Sequence, residues 1–174
     1  MSDKTLWENE WLAVKETPDK YTYSHENKSG GVGVSVLAYK SNPFKIVGRY
    51  ENCPPHRDGI ALCALTGQAE KGEHPVSTAV RELFEEAGIT VGYNEMKELG
   101  TVKPSKSADT LMYLFSVDIG PDRDIGRGPG DGTKGEEGAY CRWIDWSTAV
   151  ASKDPILATS AARLAAKRGT DQMR

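Results

Sequence analysis

Cysteine is scarce in this 174-residue chain, with three residues at Cys53, Cys63 and Cys141. The number is odd, the spacings are wide and no C-x-x-C pair occurs. This excludes a disulfide scaffold and fits a reducing compartment in which the thiols simply pack. Histidine is equally sparse, and His25, His56 and His74 show no zinc-ligand spacing. No apolar run approaches the roughly 18 residues of a membrane helix. The charged stretch from Met1 to Lys15 carries no signal-peptide core. A soluble, cytoplasmic protein that contacts no membrane is therefore expected. A basic excess is missing too: Lys plus Arg is 22 against 25 for Asp plus Glu, a formal net charge of -3. Binding to nucleic acid through phosphate neutralisation is not expected. A phosphate-bearing small molecule remains open, because a divalent metal reverses the local sign.

What is present suggests one domain spanning 1–174, long enough to bury its own core. Leu6 to Glu16 reads as a strand, Thr17-Pro18-Asp19 as a turn and Tyr21 to His25 as the returning strand. Together they make an N-terminal β extension over 1–28. Val32, Val34, Val36 and Ala38 alternate with Gly33, Ser35 and Leu37 in a core strand, and Phe44 to Tyr50 is its partner. Ile60 to Leu65 reads as one short buried strand. A helix over Pro75 to Ala87 has Pro75 in its first turn and Gly88 as its stop. Lys97 to Val102, Leu111 to Val117 and Ala139 to Ile144 complete the strands. Helices at Ser147 to Ala151 and Pro155 to Lys167 close the 147–168 region. Between the strands Leu111 to Val117 and Ala139 to Ile144, 120–138 holds seven glycines with Pro121 and Pro129, and is read as a mobile loop.

Chemistry concentrates in residues 67–89, GQAEKGEHPVSTAVRELFEEAGI. At about 3.6 residues per turn, Glu82, Glu85 and Glu86 fall on one face of the helix. Leu83, Ala87, Val80 and Phe84 fall on the opposite face, so the helix is expected to dock an apolar side and turn three carboxylates away. Three like charges this close repel, and Glu85 and Glu86 stand at the wrong end of the helix dipole. A solvated face is one reading; a cation neutralising the cluster is the other. Carboxylate oxygens suit hard cations, Mg²⁺ or Mn²⁺, rather than zinc.

This stretch resembles the signature of the Nudix hydrolases, G-x5-E-x7-R-E-U-x-E-E-x-G-U with U bulky and apolar. Gly67, Glu73, Arg81, Glu82, Leu83, Glu85, Glu86, Gly88 and Ile89 fill every defined position. Chance agreement is on the order of one in 10⁸ per window. The resemblance implies an α+β fold, an α/β/α sandwich around a mixed sheet. It implies that Glu82, Glu85 and Glu86 bind Mg²⁺ or Mn²⁺ with the Gly67 carbonyl, and that Glu73 assists. Arg81 would orient a helix carboxylate, or form an ordinary intrahelical pair with Glu85. The implied reaction is hydrolysis of a nucleoside diphosphate linked to some group X. Gln68, where a second glycine is common, and Ala87, where threonine is frequent, depart from the usual pattern without removing a ligand.

The surroundings lean towards the ADP-ribose and nucleoside diphosphate sugar branch. Pro104 stands fifteen residues after Ile89, where those enzymes carry a proline. The aromatic N-terminal segment, with Trp7, Trp11 and Tyr21, is similar to their extra strands, which build a homodimer and stack the base. An additional carboxylate is implied at the end of the glycine-rich loop, with Glu136 and Glu137 as the candidates. Arg49, Arg57 and Lys103 are candidate phosphate contacts or plain surface charges. A nucleoside triphosphate pyrophosphohydrolase and a non-catalytic nucleotide-sugar sensor are the alternative functions.

Overall fold

A computed structural model describes residues 2–57, 59–130 and 138–169. The N-terminal region is a separate antiparallel sheet of β1 (Lys4–Glu8), β2 (Leu12–Glu16) and β3 (Thr22–Glu26). The segment Leu6 to Glu16 is thus two strands, not one. The Asn9 carboxamide oxygen accepts the N–H groups of Trp11 and Leu12 at 2.9 and 2.7 Å, which reverses the chain between them. Alternation of Trp7, Trp11 and Val14 with charged residues concealed that side-chain turn.

The main sheet is mixed. It comprises β4 (Val32–Ser41), β5 (Phe44–Asn52), β6 (Ile60–Cys63), β7 (Leu65–Gln68), β8 (Lys97–Val102), β9 (Leu111–Asp118) and β10 (Tyr140–Ile144). The order is β10-β5-β4-β9-β8, with β6 beside β5 and β7 beside β4. Among the described strand pairs only β4 and β9 run parallel. The expected strand Ile60 to Leu65 breaks at Ala64, where the chain leaves β5 for β4. Asp154 Oδ2 accepts the Ala64 N–H at 2.7 Å at this jog. Its other oxygen accepts from Ile156 and Leu157 and so caps α3 (Pro155–Arg168).

Helices cover both faces. Val34, Val36 and Ala38 of β4 pack with Ala79, Leu83 and Ala87 of α1 (Pro75–Ala87). Leu37 and Tyr39 face the other way, onto Leu157, Ala161 and Leu164 of α3 and Ala149 of α2 (Trp146–Val150). Strict alternation on β4, buried from Gly33 to Tyr39, thereby serves two cores at once. None of the described helices is long and apolar enough to cross a membrane.

The face of α1 differs from the expected one. Its buried residues are Thr78, Ala79, Glu82, Leu83 and Ala87, whereas Phe84 is 47% exposed. The buried stripe is thus rotated about the helix axis towards Glu82 and away from Phe84. Glu82 and Glu86 therefore lie on the sheet side of the helix. Two of the three carboxylates are drawn in because arginines and a glycine receive them.

The described part of the glycine-rich segment is anchored. Gly126 donates its N–H to the Ala87 carbonyl at 2.8 Å and Gly130 to that of Glu85 at 3.0 Å. These bonds satisfy carbonyls at the open C-terminal end of α1. Gly128 passes so close that a Cβ there would stand 2.0 Å from the Glu85 carbonyl oxygen. At Gly128, glycine is thus used for close approach to the helix end.

Candidate metal-dependent hydrolase site

β7 and α1 meet at Gly67. A Cβ on Gly67 would lie 1.9 Å from the carboxyl carbon of Glu82, so the glycine makes room for that carboxylate against the strand backbone. Gly88 has a different role: its φ of 65° ends α1 in the left-handed conformation, with its N–H on the Phe84 carbonyl.

Arg81 gathers three acidic groups around one guanidinium. One Nη1 lies 2.8 Å from Glu82 Oε1 and 2.9 Å from Glu85 Oε2. Nε and Nη2 fork onto Glu73 at 3.3 and 3.1 Å, and Nη2 also donates to the Gln68 carbonyl at 3.1 Å. This exceeds the expected intrahelical pair, since Glu73 lies outside the helix. Burial alone would raise the Glu73 pKa. The Arg81 guanidinium and the Glu70 N–H outweigh it and hold the carboxyl below its ordinary value. Burial likewise opposes the charge on Arg81, but Glu73 and Glu82 more than compensate, so the guanidinium stays charged.

Arg49 acts from the sheet. Its Nη1 lies 2.9 Å from Glu86 Oε1, and its Nε 2.7 Å from Glu51 Oε2. The Arg49 and Glu86 side chains are 5% and 6% exposed. Arg49 thus belongs to the acidic site, with Glu86 and Glu51 on its guanidinium. From the sequence, Arg49 reads as a phosphate contact or a plain surface charge, and Glu51 is not singled out. A strand-to-helix contact 37 residues apart leaves no local spacing to read. Beside this pair, Cys141 donates its thiol towards the Glu86 carbonyl at 3.4 Å. Burial, reinforced by the Glu86 charge, pushes that thiol up to about 12, so it remains protonated.

The remaining candidates fall elsewhere. Lys103 and Pro104 follow β8 and are exposed. The segment that continues from them lies along β3, where Ser107 accepts the Ser24 N–H at 2.9 Å and Tyr21 donates its hydroxyl to the Lys106 carbonyl. Trp11 occupies the β1–β2 turn, 52% exposed, with the Lys28 ammonium 4.9 Å from its ring centroid. Gln68 joins the two regions: its amide donates to Glu26 of β3 at 2.9 Å. Glu136 and Glu137 lie outside the described residues.

Glu82, Glu85, Glu86 and the Gly67 carbonyl offer oxygen donors only, a chemistry that suits a hard divalent cation, although the carboxylate oxygens are held by the arginines and do not all lie within 4.8 Å of one another. A carboxylate accepts at about four lone-pair positions, so pairing with arginine and metal ligation are compatible at one group.

The fold and this site define an α/β/α sandwich carrying an acidic loop–helix–loop on one face of a mixed sheet. Residues 30–165 match the family model described as NUDIX domain, and the chain belongs to the Nudix family. That family's chemistry is hydrolysis of nucleoside diphosphates linked to X, generally with divalent metals such as Mg²⁺ or Mn²⁺. A protein of Myxococcus xanthus named octanoyltransferase is 34% identical over 101 residues, covering 55% of this chain and 26% of that protein. The chain thus spans about a quarter of the relative it matches.

Proposed function

We propose that this protein hydrolyses the pyrophosphate of ADP-ribose or another nucleoside diphosphate sugar, giving a nucleoside monophosphate and a sugar phosphate. The observation that carries hydrolysis is the Glu82 carboxylate seated against Gly67, with Glu85 and Glu73 gathered by one guanidinium. A sensor has no need of this complete set. Octanoyl transfer is not carried over, because the match spans so little of the protein that bears the name.

Glu82, Glu85, Glu86 and the Gly67 carbonyl would hold Mg²⁺ or Mn²⁺, with Glu73 beside them. When bound, the cation neutralises charge on the pyrophosphate oxygens and acidifies a water. Arg81 fixes the directions of Glu82 and Glu85 before substrate arrives, and Arg49 does so for Glu86. Such preorganisation spares reorganisation at the moment of reaction. Water adds its oxygen to one phosphorus as the P–O–P bond breaks, and its proton passes to a carboxylate base. Glu136 or Glu137 is proposed for that base.

Pro104 and the aromatic N-terminal sheet support the nucleotide-sugar substrate. The 105–109 segment and Gln68 connect that sheet to the box. Lys103 and Trp11 are proposed as phosphate and base contacts. Exposed Leu6 and Trp7 on β1 support a homodimer through this sheet.

A phosphate-release screen with Mg²⁺, coupled to alkaline phosphatase, tests the reading. ADP-ribose and UDP- or GDP-sugars are expected to give phosphatase-dependent signal. Triphosphates alone giving signal would retain the hydrolase and replace the substrate. Glu85→Gln should lose turnover by orders of magnitude while keeping the fold; undiminished activity would sink the assignment of the site.

A further inference from the structure

A second group of ligating side chains lies off the box, at the β5–β6 edge. Among the described residues, Glu51, Cys53 and Cys63 form the one set of three or more His, Cys, Asp or Glu whose ligand atoms all lie within 4.8 Å of one another. The two sulfurs are 3.5 Å apart, and both cysteines are free and half-buried. β5 carries Glu51, the chain curls at Cys53 before the short turn Pro54–His56, and β6 returns with Cys63. Ten residues of separation gave no recognisable ligand spacing, yet the hairpin brings both thiols to one carboxylate.

The chemistry differs from that of the box. Thiolates select soft or borderline cations, whereas Mg²⁺ and Mn²⁺ prefer oxygen. Tetrahedral zinc with Zn–S bonds of about 2.3 Å separates two sulfurs by about 3.8 Å. The observed 3.5 Å needs an opening of only a few tenths of an ångström. The cluster also borders a cavity of about 1020 Å³ lined by Cys53, His56, Cys63 and Lys153, so a fourth position is open to water.

We infer that Glu51, Cys53 and Cys63 form a binding site for a thiophilic divalent cation of the zinc type, separate from the hard-cation site of the box. The cation would pin the chain at Cys53 to β6. Because Glu51 also accepts from Arg49 Nε, one guanidinium stands between this cluster and Glu86.

Cobalt(II) titration of the fully reduced protein, with Mg²⁺ in excess, tests the site. A sulfur-to-cobalt charge-transfer absorption saturating at one equivalent is expected, displaced by zinc and not by Mg²⁺. It should vanish in Cys53→Ser and in Cys63→Ser, and persist in Cys141→Ser and Glu85→Gln. As a second readout, zinc should raise the thermal midpoint of the parent protein and leave that of Cys53→Ser unmoved. Far-UV circular dichroism establishes that each variant folds. Absence of the thiolate band in the reduced parent, or its survival in the Cys53→Ser/Cys63→Ser double variant, would overturn the proposal.

Discussion

Arg81 reaches Glu82 and Glu85 from within α1 itself and keeps a side chain 29% exposed, whereas Arg49 reaches Glu86 from β5 and is 5% exposed. Both hold acidic groups of one helix. Arg81 does so through neighbours one and four positions away, with Glu73 of the preceding loop on the same guanidinium, among partly buried side chains. Arg49 does so across the packed interface between strand and helix. The two therefore separate aiming from anchoring. An ion pair near water adds little stability, and its value lies in orienting groups. A buried pair is costly to break, because the surviving charge is left in low dielectric.

The sharpest way to break this contrast is Arg49→Ala. Removing one partner of a buried pair costs about 3–5 kcal/mol, and a domain of this size loses roughly 2–4 °C of thermal midpoint per kcal/mol. Denaturant unfolding should show that loss, while Arg81→Ala should keep most of its stability and lose turnover instead. Equal destabilisation by the two would dissolve the distinction.

Gly67→Ala comes next. The new methyl would collide with the Glu82 carboxylate, and overpacking of this kind costs about 1–3 kcal/mol. Divalent-metal affinity measured by calorimetry should fall as well, because Glu82 must swing away. Unchanged affinity would mean that Glu82 does not need its place beside the strand.

The smallest effect belongs to a third, half-buried pair, Arg123 with Glu95. The Arg123 hydrogen bond, helped by the Gly92 N–H, holds the Glu95 carboxyl below its ordinary 4.5. Its contribution to stability is complete above that ordinary value and lost as pH falls through the lower folded one. Glu95→Gln should therefore flatten the acid limb of a stability–pH curve slightly, with no change in shape at neutral pH. An acid limb steeper than that of the parent would contradict the sign.

Much of the site could be read in advance where its contacts are local. Gly67 to Ile89 places Arg81 among its glutamates because helix periodicity and one loop suffice. The α1 boundaries follow from Pro75 and Gly88 for the same reason. Arg49–Glu86 escaped, as did the inward turn of Glu82 and Glu86, because a helical wheel ranks residues by polarity and cannot see a receiving guanidinium. The break at Ala64 was equally hidden. Its cause is Asp154, 90 residues away, and an apolar run offers no mark where a strand changes partners. Asn9 is the opposite case, a short-range turn disguised by flanking tryptophans.

The parallel pairing of β4 with β9 has a consequence for the order of synthesis. When the ribosome has released the box helix, the central strand still lacks its partner Leu111–Asp118 along one whole side. The outer edge of β5 waits longer, for Tyr140–Ile144. At about 5–20 residues per second the interval is of the order of seconds. For that time a strand rich in valine is exposed at its edge before its neighbour exists. The nascent chain is thus most vulnerable to wrong pairing after the box helix has emerged and before Leu111–Asp118 is made, ahead of α2 and α3.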